Sequence, residues 1–274
     1  GVFGSRGISW VGAHSNGDDN YGSLNKLFSP ISVVGGGDIS VNNNTVANNI
    51  TYMGDYLYRG NGKYRFYDGG EFYFIGGGVS VLGTADLLIS HNTIVNNSLY
   101  LRSKVGDGNE YTWRNRQVRF FPAAITYGQN NDTVTVSNNL IKENSYKYHQ
   151  VSSSNTRKYH IHAAGISPLN YDTNPYTVIE NNTIQENILK DQGSSDGDAN
   201  LYAVGISFNN GETKKTKIHN NTIKENIMEQ HDTGGYEYVY SSGVFLNGHN
   251  DSLSFKDNIV VGNLVGSAFD QVYS

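Results

Sequence analysis

Aromatic side chains are concentrated in the segments that separate six short repeated phrases of this 274-residue chain. Tyrosine combines a flat apolar ring with a hydrogen-bonding hydroxyl group. A pyranose ring also has a flat C–H face with hydroxyl groups at its edge, so tyrosines near Asn, Asp and Arg suit a polysaccharide. The residues that we assign to such a binding face are Tyr56, Tyr58, Tyr64, Tyr67, Tyr73, Tyr111, Trp113, Tyr146 and Tyr148. The alternative is that these segments only lengthen strands and pack their rings on the outside of the molecule.

A cluster of arginines around Trp113 is the best candidate for binding an acidic sugar. Its members are Arg114, Arg116 and Arg119, with Asp107 and Glu110 upstream. A polysaccharide lyase needs a basic residue beside carboxylates that hold a calcium ion. The chain lacks a stacked set of aspartates for such an ion, so we assign no catalytic residue to this cluster.

Carboxylates suited to glycoside hydrolysis are also sparse at equivalent positions of the repeat. Hydrolysis needs two carboxyl groups at a fixed separation. Asp86, Asp132 and Asp172 each precede a strand-like phrase and are interpreted as turn residues. The phrase that marks a phosphate-binding loop is absent from the sequence. The sequence therefore favours a protein that is not an enzyme.

Candidate metal ligands are few. His160 and His162 alternate on one strand face, but two imidazoles do not complete a zinc site, and we expect both to be exposed to solvent. The acidic pairs Asp18-Asp19 and Asp196/Asp198 do not match a calcium-binding hand loop. With no cysteine, disulfides and thiolate sites are excluded. We predict no cofactor, and the sequence gives a structural calcium ion no support.

Composition limits the partners of the chain. The formal net charge is −5 and 16% of residues are charged, compared with about 25% in an average domain. A weakly acidic surface argues against a nucleic acid, which calls for a basic stripe, and against an anionic membrane. No run of about 18 apolar residues is present to span a bilayer. The expected partner is a polysaccharide, an insoluble plant glycan, bound by a monomer.

Six pairs of asparagines, with five residues from the first to the second, indicate how the chain positions these residues. The pairs are Asn44/Asn49, Asn92/Asn97, Asn139/Asn144, Asn182/Asn187, Asn221/Asn226 and Asn258/Asn263. Their first members follow one another at intervals of 48, 47, 43, 39 and 37 residues. Such a period, with strand-like phrases and no helical pattern, predicts a coil of stacked repeats. Asparagine tolerates the left-handed conformation of a sharp corner, and its amide can bond the asparagine one rung above.

A second phrase upstream of each pair consists of small residues, a β-branched residue and an alternation of apolar and polar residues. It occurs at residues 77–81, 123–127, 164–168, 204–208 and 242–246, and we place its first copy at 7–10, followed by an insertion around 16–32. Alternation indicates strands with one buried face. Stacked parallel strands with inward Val, Ile and Leu would give six rungs and a column about 30 Å tall. A β-propeller would need four strands per repeat, whereas the constant spacing shows two or three.

This pattern resembles the right-handed parallel β-helix superfamily, which includes pectate lyases, phage tailspikes and many adhesins. The resemblance covers all six repeats and implies an all-β solenoid with long insertions on one side. We expect residues 1–274 to form one domain from the C-terminal part of a larger extracellular protein.

A cysteine-free, Tyr-rich and Asn-rich β-helix without a catalytic constellation also resembles the tapirins, which are cell-surface cellulose adhesins. That resemblance implies binding to cellulose by aromatic stacking, without cleavage, outside the cell or at its surface. The alternative function is that of a polysaccharide lyase or glycoside hydrolase acting on a plant or bacterial polysaccharide. A phage-tail or pilus-like receptor binder is a third possibility, and such proteins are usually trimeric.

Overall fold

The computed structural model describes residues 8–13, 22–27, 29–53, 71–104, 117–128, 132–151, 158–162, 164–169, 175–191, 198–209, 215–230, 237–247 and 252–267. In these ranges the backbone forms 31 strands in five sheets. No helix in these ranges is long and apolar enough to cross a membrane.

The strands, numbered along the chain, belong to sheets A to E. Sheet A contains β1 (Ile8–Ala13), β2 (Gly22–Leu27), β7 (Glu71–Ile75), β12 (Gln117–Phe121), β17 (Lys158–Ile161), β22 (Asp198–Leu201) and β27 (Glu237–Val239). Sheet B contains β3 (Ile31–Val34), β8 (Val79–Leu82), β13 (Ile125–Gly128), β18 (Ile166–Leu169), β23 (Ile206–Asn209) and β28 (Val244–Asn247). Sheet C contains β4 (Ile39–Asn42), β9 (Leu87–Ser90), β14 (Thr133–Ser137), β19 (Tyr176–Glu180), β24 (Lys215–His219) and β29 (Leu253–Lys256).

Sheets D and E complete each rung. Sheet D contains β5 (Thr45–Ala47), β10 (Thr93–Val95), β15 (Leu140–Lys142), β20 (Thr183–Gln185), β25 (Thr222–Lys224) and β30 (Ile259–Val261). Sheet E contains β6 (Ile50–Met53), β11 (Ser98–Lys104), β16 (Ser145–Val151), β21 (Ile188–Asp191), β26 (Ile227–Gln230) and β31 (Leu264–Ser267). From β2 onward, every five consecutive strands form one rung, and the six rungs are a parallel β-helix as the repeat predicts.

The main core lies between sheets B, C and D, where inward side chains stack from rung to rung. One column runs through sheet D and holds a branched aliphatic residue in every rung. Its members are Val46, Ile94, Ile141, Ile184, Ile223 and Val260. The four isoleucines of the inner rungs are fully buried. The predicted stacking of inward aliphatic residues is therefore confirmed.

The small residues before each sheet B strand are required by the close approach of neighbouring rungs. A β-carbon at Gly205 would lie 2.6 Å from Cγ2 of Ile223 and would also collide with the carbonyl oxygen of Gly243. A β-carbon at Gly165 would likewise collide with Ile184 and with the carbonyl oxygen of Gly205. The small-residue phrase thus marks the point where the backbone of one rung packs on the next.

The asparagine pairs form two ladders along the coil, one at the corner between sheets C and D and one between sheets D and E. In each ladder the Nδ2 amide donates to Oδ1 of the asparagine in the next rung at 2.8–3.0 Å. The backbone N–H of the same residue donates to that Oδ1 as well, as between Asn139 and Asn182 at 3.0 Å. The predicted vertical registration of the asparagines is confirmed.

The left-handed conformation lies one residue earlier than the sequence predicts. At every corner of the two ladders the residue before the stacked asparagine has positive φ, from 53° to 65°. These residues are Asn43, His91, Asn138, Asn181, Asn220 and Asp257 in one ladder, and Asn48, Asn96, Glu143, Glu186, Glu225 and Gly262 in the other. The reversal at this residue turns the following N–H along the coil axis, where it meets the next Oδ1.

The first rung and the number of strands per rung correct two expectations. Ile31, not the phrase at 7–10, aligns with Val79 in sheet B, so the first rung has the same spacing as the others. Residues 8–13 form β1, which pairs antiparallel with β2 beyond the first rung of sheet A. Each rung also has five strands, because the variable segments contribute sheets E and A.

Candidate functional site

Two tyrosines stack on the outward face of sheet E. Tyr52 of β6 and Tyr100 of β11 are register partners in neighbouring rungs. Their ring centroids lie 5.1 Å apart with an interplanar angle of 10°. Tyr52 is 63% exposed, whereas Leu99, which precedes Tyr100 and points inward, is buried. The two-residue alternation of the strand therefore presents a paired aromatic surface to solvent.

Polar groups adjoin this aromatic pair. The Tyr100 hydroxyl lies 3.0 Å from Nδ1 of His149 in β16, and the two rings meet edge to face at 6.4 Å between centroids. Lys147 aligns with Tyr100 one rung further along and has no carboxylate partner in the part of the chain that the structure describes. Lys190 follows in the same column and is neutralised by an ion pair with Glu229. We call Tyr52, Tyr100, Lys147 and His149 the sheet E face.

A second place brings cations to an aromatic ring, on the outward side of sheet C. The amino groups of Lys215 and Lys217 lie 5.9 and 5.7 Å from the centroid of the Tyr176 ring. A hydrogen bond with the Tyr176 hydroxyl raises the pKa of Lys217, so this amine stays charged. Tyr176 is only half-buried, but both lysines already interact with it. The ring is therefore less open to a ligand than Tyr52.

Most of the aromatic residues that the sequence predicts for the binding face lie outside the described residues. These are Tyr56, Tyr58, Tyr64, Tyr67, Tyr111 and Trp113. The backbone of Tyr73 lies in β7, in register with Arg119 of β12, but neither side chain is described. Arg114 and Arg116 also fall outside the described residues.

Tyr146 and Tyr148 are inside the coil and not on its surface. Both rings are buried, because they occupy the inward positions of β16, where Tyr146 aligns with Leu99 and Leu189. The Tyr146 hydroxyl approaches the small-residue phrase, within 2.8 Å of where a Gly77 β-carbon would be. Burial raises the pKa of this hydroxyl well above its ordinary value. These two residues are therefore part of the core and do not belong to a binding face.

His162 is also buried, which corrects the expectation of an exposed imidazole. It lies in an aromatic stack with one ring from each of four rungs, Phe121, His162, Tyr202 and Tyr240. The successive centroid distances are 4.1, 4.6 and 5.1 Å. The side chain of His160 is not among those described. No group of three His, Cys, Asp or Glu side chains suited to a metal ion is present within the described ranges.

Two of the acidic residues considered for catalysis, Asp86 and Asp132, lie in turns between sheets B and C. Oδ1 of Asp86 accepts the backbone N–H of Thr133 at 3.0 Å. The carbonyl oxygen of Asp132 accepts the N–H of Tyr176 at 2.7 Å. The interpretation of both as turn residues is consistent with these bonds. Asp172 falls outside the described residues.

Neither Tyr52 nor Tyr100 is among the residues that the aromatic content of the sequence predicts for the site, although a positional signal exists. Both residues follow the second asparagine of their pair by three positions, as do Lys147 and Lys190. A fixed offset from a ladder residue places side chains in one column of the coil. Counting from Asn49 and Asn97 would therefore have found the sheet E face.

Comparison with known proteins adds no relative. The chain matches no family model, and no curated protein or solved structure matches it. The parallel β-helix rests on the strand pairing described above, and the likeness to tapirins has no family match behind it.

Proposed function

We propose that this protein binds a polysaccharide without cleaving it, through the sheet E face. The observation that carries the proposal is the exposed Tyr52 ring, held against Tyr100 by the registered strands β6 and β11. Exposed aromatic rings with polar neighbours are typical of surfaces that bind amphipathic ligands. Sugars are amphipathic in the same sense, with C–H faces and hydroxyl edges.

The geometry of the rungs suits an extended chain that runs along the coil. Successive rungs present side chains about 4.8 Å apart, which is close to the length of one sugar residue in an extended glycan. A glycan along the column would pass Tyr52, Tyr100 and Lys147 in turn. The Lys147 amine can donate hydrogen bonds to sugar hydroxyl groups. Because these side chains stand on paired strands, little conformational entropy is lost when the ligand binds.

The biological role that we propose is attachment of a cell to an insoluble, cellulose-like glycan from outside the cell. This part of the proposal rests on the resemblance of the repeat and composition to the tapirins. A rigid parallel column with one aromatic face is compatible with adhesion, because it presents its ligand-binding residues in a straight line.

The test is retention on insoluble cellulose, together with affinity electrophoresis in soluble glucan, xylan, pectin and alginate. We expect Tyr52→Ala and Tyr100→Ala to weaken binding by about tenfold, equivalent to about 1.4 kcal/mol. Tyr240→Ala is the matched control, because Tyr240 is half-exposed at the far end of the coil, outside the sheet E face. Thermal melting checks that all three variants are folded.

Two results would contradict the proposal. If the unaltered chain is retained by none of these polysaccharides, it is not a binding protein of this class. If Tyr52→Ala binds the polysaccharide as tightly as the unaltered chain, the binding surface is not the sheet E face. New unsaturated ends or reducing sugars in the same incubations would instead support the alternative, a lyase or a hydrolase.

A further inference from the structure

Basic side chains follow one another on the outward face of β24 in sheet C. The strand alternates, so Lys215, Lys217 and His219 face outward while the two residues between them are buried in the core. Two-residue spacing along a strand places neighbouring side chains of such a row about 7 Å apart. Strand β24 pairs with β19 on one side and with β29 on the other, so this row does not lie at an end of the described coil.

The two lysines converge on the ring of Tyr176 in β19. Their amino groups lie over the ring, 5.9 Å from its centroid for Lys215 and 5.7 Å for Lys217. An aromatic face attracts a cation within about 6 Å, and this attraction holds the two like charges near each other. His219 does not take part, because its Nε2 lies 2.8 Å from the hydroxyl oxygen of Ser254. We call Tyr176, Lys215 and Lys217 the sheet C site.

The positive charge of the sheet C site is only partly offset. The hydrogen bond with Tyr176 raises the pKa of Lys217, and the charge of Glu180 adds to this rise. Neither lysine of the site forms an ion pair with a carboxylate in the part of the chain that the structure describes. Lys142 of sheet D, by contrast, lies 2.9 Å from Glu143. Because two neighbouring ammonium groups repel each other, an anion that contacts both of them relieves that repulsion.

The surface beside the sheet C site suits a polymer better than a small ion. In the column of Lys217, the preceding rungs carry Val178, Thr135 and Leu88, which are uncharged and half-buried. A small ion on solvent-exposed amines gains little, because water and salt screen the interaction. An extended chain gains more, because it can place one acidic group on the lysines and pack its C–H groups along this column.

We propose that the sheet C site binds a carboxylate or sulfate group of an acidic polysaccharide. The two amines donate charge-assisted hydrogen bonds to the acidic group, and the glycan continues over the uncharged column towards the first rung. The site lies on a different sheet from the sheet E face and acts through charge, so it does not rest on the function proposed above. The whole chain carries −5, so most of its surface repels a polyanion and binding requires a local cationic site.

The experiment is isothermal titration calorimetry of the 274-residue chain with two matched pairs of polymers. Dextran sulfate against dextran tests the sulfate group, and polygalacturonate against its methyl ester tests the carboxylate. We expect at least one polyanion to bind, and we expect Lys217→Gln to weaken that binding by at least about tenfold. Binding of the uncharged counterpart should not change in this variant.

Two further variants separate the site from net charge. Lys142→Gln is the matched control, because it removes the same charge from a lysine that already has a carboxylate partner, and it should leave polyanion binding unchanged. Tyr176→Leu keeps the net charge, and it should weaken polyanion binding several-fold because the amines lose the ring that holds them together. Thermal melting checks that all of these variants are folded.

Four results would overturn the proposal. They are no binding of either polyanion, an equal loss in Lys142→Gln and Lys217→Gln, unaltered binding in Tyr176→Leu, and inorganic sulfate that binds as tightly as the polymers. Tyr52→Ala separates this site from the function proposed above, because it should weaken binding of a neutral glycan and leave polyanion binding unchanged. If polyanion binding falls in Tyr52→Ala but not in Lys217→Gln, the acidic chain lies on the sheet E face, and only the sheet C site is refuted.

Discussion

The ladder asparagines supply hydrogen bonds where the sheets turn corners and strand pairing is interrupted. Oδ1 of Asn187 accepts both the backbone N–H and the Nδ2 amide of Asn144, at 3.1 and 2.9 Å. Asn187 in turn donates its own two groups to Oδ1 of Asn226 and also reaches the carbonyl oxygen of Ile141. One buried side chain thus bonds to polar groups of both neighbouring rungs.

Removal of an inner ladder amide should therefore be costly. We expect Asn187→Ala to lower the free energy of unfolding by about 3 kcal/mol, because the buried N–H and Nδ2 donors of Asn144 lose their acceptor. Asn49→Ala is the control, since Asn49 begins its ladder, accepts no bond from a preceding rung among the described residues and keeps its backbone bond to Asn97. Its loss should stay below about 1 kcal/mol. The measurement is urea unfolding. Equal losses of unfolding free energy in Asn187→Ala and Asn49→Ala would show that the buried ladder bonds of Asn187 do not stabilise the fold.

At the residue scale the sequence predicts the stacking but not the conformation that produces it. Recurrent asparagines at a nearly constant position identify the ladder, because no other residue type offers both an amide donor and an acceptor in so short a side chain. The positive φ of Glu143, Glu186 and Glu225 has no such signal. Glutamate is not a residue that favours this region, so here the geometry of the neighbouring ladder overrides local preference.

The rungs are held close together where the small-residue phrase of one rung packs on the backbone of the next. Gly77, Gly165 and Gly205 all face a carbonyl oxygen of the following rung too closely for a β-carbon. The same contact lets the isoleucines of sheet D reach across the core, since Ile184 and Ile223 pack against two of these glycines. Sheets B and D are therefore coupled through this phrase.

A methyl group in this contact should force two rungs apart. We expect Gly205→Ala to destabilise the fold by about 3 kcal/mol, as overpacking of a tight core does, because the added β-carbon would lie 2.3 Å from the Gly243 carbonyl oxygen and 2.6 Å from Cγ2 of Ile223. Gly37→Ala is the matched change at a glycine with no atom within 4 Å of the added carbon. It should leave stability unchanged or slightly increased. A Gly205→Ala protein that melts at the temperature of the unaltered chain would contradict this packing.

The strands of sheets B, C and D, which face the main core, are predicted from the sequence, whereas the strands of sheets E and A are missed. Strands of sheets B, C and D have a nearly constant spacing from the asparagines, and their inward residues alternate visibly. Sheets E and A lie in segments of 18 to 30 residues whose lengths change from rung to rung. Sheet A has no constant spacing from the asparagines, and sheet E shows its alignment only when residues are counted from the second asparagine of each pair. Without that count the sequence predicts Tyr146 and Tyr148 at the surface and does not single out Tyr52 and Tyr100.

The molecule as a whole is a stack in which each rung interacts only with its neighbours, so the position of a rung determines what each residue contributes. The two ends of the described coil differ, because Val41 and Val46 of the first rung are buried, whereas Val260 and Val265 of the last described rung are exposed. The sheet E aromatic pair lies in the first two rungs, at the end with the buried valines.

The column through sheet D offers a matched test of this asymmetry, because it has a valine in the first rung and a valine in the last. Val46 is 3% exposed and Val260 is 45% exposed. Val46→Ala should cost about 2 kcal/mol, the transfer free energy of the buried atoms removed. Val260→Ala should cost less than about 1 kcal/mol, because the Val260 side chain is already half-exposed. Urea unfolding of both variants compares the two ends, and a larger loss of unfolding free energy at Val260 than at Val46 would contradict this difference in burial.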